Sequence, residues 1–243
     1  KLRCEERRVW RRMPLCLAVS DVDAQTMIEG GAGRVEICPN GTDEVARLAP
    51  PRRRPDEPLR LLFVGSADYQ PYERGIAWFV REVLPHLQPI VPTIFDVVGV
   101  PPRRPVSAAG VRYVGKVPTV AEWYERCHAV VVPMFEGSGT RLKIVEAMAY
   151  GRPVVSTALG AQGLPVAAGT HYYCADDVPG FVSILAELAT HCEQDGGPMA
   201  SMLDKAYGSI TPLFWPRITE RLSELYRSEI EVHRMQKEPA PPG

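Results

Sequence analysis

Short runs of consecutive apolar residues recur between helix-length amphipathic segments from residue 61 to residue 191. LLFVG (61–65), IFDVVGV (94–100), VRYVG (111–115), AVVVP (129–133), PVVST (153–157) and THYYCA (170–175) read as six strands. After the first, YERGIAWFVREVLPHL (72–87) puts Ile76, Phe79, Val80, Val83 and Leu87 on one helical face. Further helical stretches are expected at 120–127, 140–150 and 179–191. A Pro/Ala-rich connection with at most a short helix joins the second and third strands. Strands that are apolar on both faces and alternate with helices form a parallel sheet covered on both sides. The expected class is therefore α/β, a Rossmann-like parallel sheet with helices on both faces. In such sheets ligands bind outside the carboxyl ends of the strands.

The densest chemistry lies after AVVVP. MFEGSGTRLKIVEAMAYG (134–151) is a glycine-bearing turn that runs into a helix. A strand, a glycine turn and a helix N-terminus make an anion site, because unpaired backbone N–H groups and the helix dipole face the same point. Gly137 and Gly139 let the backbone come close, and Ser138 and Thr140 add hydroxyl donors. Arg141 and Lys143 add charge-assisted donors suited to a diphosphate. Glu146, two turns in, is an acceptor suited to neutral hydroxyls such as those of a ribose. The alternative is a plain helix cap with a solvated cationic first turn. Cations there oppose the dipole, which favours a bound anion. The dinucleotide pattern G-x-G-x-x-G fails because Leu142 holds its last position, and G-x-x-x-x-G-K is absent.

The N-terminal part differs. LCLAVS and VEICPNG read as two more strands with a helix around 23–28 between them, too few elements to close a sheet. Residues 1–48 are expected to be the end of a second Rossmann-like domain whose beginning lies outside this chain. APPRRRPDEP follows, and 49–59 suits an exposed, semi-stiff linker, with a basic anion site as the other reading of its arginines. Residues 60–212 form the main domain, 213–236 a long amphipathic helix and 237–243 a disordered tail.

Composition narrows the function classes. The formal net charge of −1 gives no global field toward nucleic acid or an anionic membrane. No apolar run nears the roughly 18 residues needed to span a bilayer. The six cysteines show no C-x-x-C pair, which fits reduced thiols in a cytosolic protein. His86, His128, His171, His191 and His233 form no hydrolase pattern. Asp176 and Asp177 are a nominal metal pair, read more simply as a cap for the following helix.

Beyond the loop, GSGTRLKIVEAMAYGRPVVST followed by LGAQGL resembles the C-terminal, donor-binding domain of GT-B glycosyltransferases of the large retaining family with an E-x7-E motif. LAVSDVDAQTM and VEICPNGTD resemble the end of that family's N-terminal domain and its crossover. LLFVGSADYQPYERGIAWFVREVLPHL, VVGVPP, VRYVGKVPTVAEWYERCHAVVVP and HYYCADDVPGFVSIL follow in the family's order, and LFWPRITERLSELY is similar to its final helix. The resemblance covers about residues 15–228.

The resemblance implies a transferase that moves a sugar from a nucleotide-diphosphate donor, of UDP or GDP type, to an unknown acceptor with retention. It implies no cofactor and no metal. Glu146, Arg141 and Lys143 take the catalytic places, with Glu146 on the ribose. The first Glu of E-x7-E falls at Ser138, which leaves a sugar contact unassigned, and Glu136 is the nearby carboxylate. The family's G-R…K-G element reads here as VGSADYQPYERG: Gly65 is kept, Ser66 replaces the Arg, and Arg74 falls near the Lys. Gly115, Lys116 and Val117 match the edge that grips the base, and Gly160 and Ala161 a loop close to the donor. A cytoplasmic site is implied, at the inner membrane face if the missing domain attaches peripherally. The rivals are a non-catalytic nucleotide-sugar sensor or partner protein, a GT-B epimerase, and a flavodoxin-like or receiver domain.

Overall fold

A computed structural model describes all residues except 1, 138, 140, 193–196 and 238–243, and leaves the side chains of 2, 3, 232, 233 and 235–237 undescribed. The expected tail and the His233 side chain thus lie outside the described residues. The chain divides into two units, residues 1–44 with 211–243, and 45–210.

In the first unit, helix α1 (Leu2–Trp10) leads to strand β1 (Cys16–Ala18), helix α2 (Asp21–Glu29) and strand β2 (Val35–Ile37), with β1 and β2 parallel. Ser20 caps α2 by accepting from the Asp23 N–H. Thr42 pairs with Phe214 just ahead of helix α9 (Trp215–Lys237). Gly41 lies so close to this turn that an added Cβ would fall 2.6 Å from Ile218 and 2.8 Å from the Leu213 carbonyl.

The second unit holds six parallel strands: β3 (Leu59–Val64), β4 (Thr93–Val98), β5 (Val111–Gly115), β6 (Ala129–Val132), β7 (Val154–Ser156) and β8 (Tyr173–Cys174). Their order is β5-β4-β3-β6-β7-β8, so the chain reverses direction across the sheet between β3 and β6. This is the expected Rossmann-like architecture. The four residues of β6 are all buried, as are Leu59, Leu61, Leu62 and Phe63 of β3, which is why these runs do not alternate with polar residues.

Helix α3 (Gln70–Trp78) continues through a wider turn (Phe79–Val83) into α4 (Leu84–Leu87). There the Leu84 N–H reaches back five residues to the Phe79 carbonyl. Pro85 has no N–H to give, and the local widening accommodates it. The expected single helix at 72–87 is therefore continuous but not uniform. Helices α5 (Ala121–Arg126), α6 (Leu142–Ala149), α7 (Val178–His191) and α8 (Pro198–Ile210) complete the unit. Helix α8 has no counterpart among the expected elements, although Met199, Leu203, Ala206 and Ile210 bury one face of it. One apolar cluster joins Phe63, Ile76, Phe79, Phe95, Val131, Phe181 and Leu185.

The segment expected as an exposed linker is only partly so. Arg52 and Arg54 are exposed, but Pro51 and Arg53 are buried. The Arg53 guanidinium donates to the carbonyls of Ala189, Pro55 and Glu57. His128 takes the Arg60 N–H on Nδ1 at 2.9 Å and donates from Nε2 to the Arg52 carbonyl at 3.1 Å. These bonds fasten the segment to the second unit, and the boundary between the units falls at 44/45. Among the described residues no helix is long and apolar enough to cross a membrane.

Candidate active site

Three glycines line the carboxyl edge of the sheet. Gly65, Gly99 and Gly115 follow or end β3, β4 and β5, and all have positive φ (142°, 121° and 86°). The Gly65 N–H donates to the Val98 carbonyl and the Gly99 N–H to the Gly115 carbonyl, both at 2.9 Å. A Cβ on Gly99 would sit 2.1 Å from the Gly65 carbonyl oxygen, so only glycine permits this approach. Gly65 and Gly115 were expected here. Gly99 was not, although a glycine closes all three strand runs in the sequence.

Beside this edge the loop after β6 enters α6. Gly137 and Gly139 have φ of 104° and 95°, a backbone conformation that favours glycine. Ser138 and Thr140 lie outside the described residues. Arg141 precedes the helix with non-helical backbone, and among the described residues no side chain caps the α6 N-terminus. Its guanidinium is 3% exposed and turns back on the loop, donating to the Gly137 carbonyl at 3.0 Å and to the Gly139 carbonyl. Its Nε is buried without a partner among the described residues. Arg141 thus staples the glycine loop and keeps one donor that no described residue satisfies, a costly arrangement unless something completes it.

Lys143, one turn in, reaches back to β3. Its Nζ lies 3.4 Å from the ring centroid of Tyr72 and 4.9 Å from that of Phe63. A Cβ on Gly65 would come within 3.2 Å of that nitrogen. Burial, and then the charge of Arg141, lower the Lys143 pKa to about 7, while Glu146 acts in the opposite sense. Tyr72 was not anticipated from sequence, because nothing local marks an aromatic in the first turn of α3 as a cation's neighbour.

Glu146 accepts from the Tyr124 hydroxyl at 2.8 Å. Tyr124 is fully buried and stacks on Tyr150, with ring centroids 4.4 Å apart and planes at 14°. Burial first, then the charge of Glu146 and the hydrogen bond to it, raise the Tyr124 pKa well above 10. The carboxylate is therefore held from behind on one oxygen.

Arg74 and Glu136 find each other: Nη1 of Arg74 donates to both carboxylate oxygens, at 2.8 and 3.0 Å. Ser66 and Lys116 are exposed, and Val117 is half-buried. Gly160 donates to Thr157 Oγ1 at 3.0 Å, and Ala161 is buried. Thr157 also donates to the Met134 carbonyl, so it ties the Gly160 turn to the start of the glycine loop. The acidic pair splits: Asp177 caps α7 through the Gly180 N–H, while Asp176 accepts from the Ala158 N–H. Among the described residues no group of three or more His, Cys, Asp or Glu could hold a metal ion.

The arrangement gathers backbone donors, one buried cation with an unsatisfied N–H, one amine near neutrality and one braced carboxylate at the point where the chain reverses across the sheet. Its chemistry is that of holding an oxyanion beside a hydroxylated group.

Residues 58–191, more than half of the chain, match the family described as Glycosyl transferases group 1. A comparison with curated proteins gave no match. Among solved structures, sucrose-phosphate synthase from Thermosynechococcus elongatus is similar at a TM-score of 0.69 and 20% identity, over 93% of this chain and 61% of that one. Anabaena HepE in complex with UDP and glucose gives 0.63 and 16%, over 93% and 67%. The pneumococcal O-GlcNAc transferase GtfA in complex with UDP and GlcNAc gives 0.60 and 14%, over 88% and 45%. The chain thus spans about three fifths of sucrose-phosphate synthase and under half of GtfA. These likenesses concern the fold, and the family match adds membership: the chain belongs to the group 1 glycosyltransferases and shares their GT-B architecture.

Proposed function

We propose that the second unit binds a nucleotide-diphosphate sugar and that the intact protein transfers the sugar to an acceptor with retention. The observation that carries this is the N-terminus of α6, which no described side chain caps, beside the buried Nε of Arg141, which finds no partner among the described residues. A diphosphate is the ligand such a site lacks. In this reading the loop N–H groups, Arg141 and Lys143 take up the charge that develops on the leaving diphosphate as the sugar gains oxocarbenium character. Glu146 orients the ribose, and Gly115, Lys116 and Val117 flank the base. The leaving phosphate accepts the acceptor's proton. Charge neutralisation rests on these side chains and needs no metal. UDP is the first base to test, since UDP is present in the similar HepE and GtfA structures. The unbridged state of all six cysteines suits a cytoplasmic site, with any membrane attachment at its inner face.

Calorimetry and thermal shift with UDP, GDP, ADP, dTDP and their sugars, beside Glu146→Ala, test the reading. Saturation at 100 times Kd adds about 2.7 kcal/mol of stability. One preferred base, with the response lost in Glu146→Ala, supports it. No response to any nucleotide sinks it for this unit.

A further inference from the structure

Three influences oppose a charge on Lys143. It stands in the first turn of α6, where the helix dipole repels a cation, Arg141 lies two residues before it, and burial disfavours the ammonium. Among the described residues no carboxylate pairs with its Nζ, and what faces that atom is aromatic. We infer that Tyr72 is a positioning residue, whose ring face holds the Lys143 ammonium at the carboxyl end of β3. That the held amine serves a diphosphate rests on the donor-site reading above; the contact itself does not.

A cation within about 6 Å of an aromatic centroid is attracted by the negative face of the ring. Nζ of Lys143 is 3.4 Å from the Tyr72 centroid, well inside that range, and Phe63 offers a second ring at 4.9 Å. The Tyr72 ring is itself fixed. Phe63 meets it edge to face, with centroids 5.4 Å apart and planes at 67°, and Tyr69 does the same at 5.2 Å and 74°. Gly65 keeps the approach open, because a Cβ there would lie 3.2 Å from Nζ and 3.3 Å from Cε of the lysine. The glycine that ends the strand run and the tyrosine of α3 thus act on the same amine, one by leaving space and the other by filling it.

The charged groups that act on Lys143 are Arg141 and Glu146 of its own segment, in opposite senses. From β3 come Phe63 and Gly65, and from α3 the phenol of Tyr72. Burial first raises the pKa of that phenol, against the charge of Arg141, so it stays neutral. The ring is therefore the contact that offsets the opposing influences from outside the α6 segment. It also orders a long side chain before a ligand arrives, which removes that entropy cost from binding.

The test starts with the native chain labelled with 13C at Cε of its five lysines, Lys143 being the signal lost in Lys143→Met. Protons over a ring face are shielded, so the Cε protons of Lys143 should resonate upfield of those of the other four. Tyr72→Leu should remove that displacement and lower the pH midpoint of the Lys143 signal, while the conservative Tyr72→Phe should restore both. Calorimetry with UDP and with inorganic pyrophosphate reads the consequence. Tyr72→Leu should weaken both ligands about fivefold, the scale of one cation–π contact, Tyr72→Phe should recover the affinity, and in a Lys143→Met background Tyr72→Leu should add no further loss. A Lys143 signal without displacement in the native chain overturns the inference, and needs no variant to fold. So does a loss in Tyr72→Leu that is equal with and without Lys143. No binding of UDP or pyrophosphate by the native chain counts against the donor-site reading instead, and the spectrum still decides whether Tyr72 holds Lys143. Melting curves check that the Tyr72 variants remain folded.

Discussion

The hydroxyl of Tyr124 donates to Oε2 of Glu146 at 2.8 Å, across 22 positions of sequence, from a ring that is itself fully buried against Tyr150. One oxygen of the carboxylate is thereby fixed. Removing the hydroxyl leaves the glutamate present but without that donor. Tyr124→Phe is expected to weaken nucleotide binding about tenfold, on the scale of one hydrogen bond to a charged group. Glu146→Ala should cost more. Calorimetry on both variants orders the two effects, and an unchanged affinity in Tyr124→Phe would show that Tyr124 does nothing beyond packing.

Lys143 makes binding depend on pH. Its folded pKa of about 7 lies below the usual 10.5, so the amine is largely neutral above pH 7 in the unliganded site. A diphosphate favours the ammonium form, and binding at pH 8–9 should take up close to one proton. Affinity then falls by up to about tenfold per pH unit above pH 7. Calorimetry in buffers of different ionisation enthalpy measures the uptake, and Lys143→Met should abolish it. For stability the sign is the reverse of a salt bridge. The unfolded chain holds the extra proton between pH 7 and 10.5, so this group makes the fold more stable as pH rises through that window.

His128 sets a limit on the acid side. Burial foremost, and then the charges of Arg53 and Arg60, lower its pKa to about 4, while the hydrogen bond to the Arg52 carbonyl acts in the opposite sense. Unfolded, it titrates near 6.5, so the unfolded chain binds the proton first. The stability from neutral His128 is complete above pH 6.5 and is lost as pH falls toward 4, by at most about 3 kcal/mol. Urea denaturation across this range should show that slope, and His128→Asn should flatten it while lowering stability at pH 7.

Two glycines in helices should respond with opposite signs. Gly75→Ala forces a methyl to within 1.7 Å of the Pro133 carbonyl oxygen and should cost about 3 kcal/mol or more. Gly208→Ala, on the exposed face of α8 with nothing within 4 Å of the new Cβ, should stabilise by about 0.5–1 kcal/mol. Midpoints of chemical denaturation test both. A tolerated Gly75→Ala would mean that the helix and loop are not locked together at this contact.

Continuous apolar runs sufficed to place all six strands of the main sheet, and the glycine turn between AVVVP and the next helix marked the candidate site before any coordinates. Both signals are local: burial on two faces removes alternation, and positive φ calls for glycine. What α8 and the 49–58 segment do was not legible, because their burial depends on neighbours far away in sequence. The same holds for side-chain partners. From sequence, Arg74 and Glu136 were separate donor contacts and Lys143 a plain cation, with Tyr72 and Tyr124 unassigned. Strand order places β3 next to β6, and that adjacency pairs Arg74 with Glu136 and seats Lys143 on Tyr72. Hydrophobic periodicity is written residue by residue along the chain. Which side chains meet depends on how the crossovers order the strands, and only the folded sheet decides that.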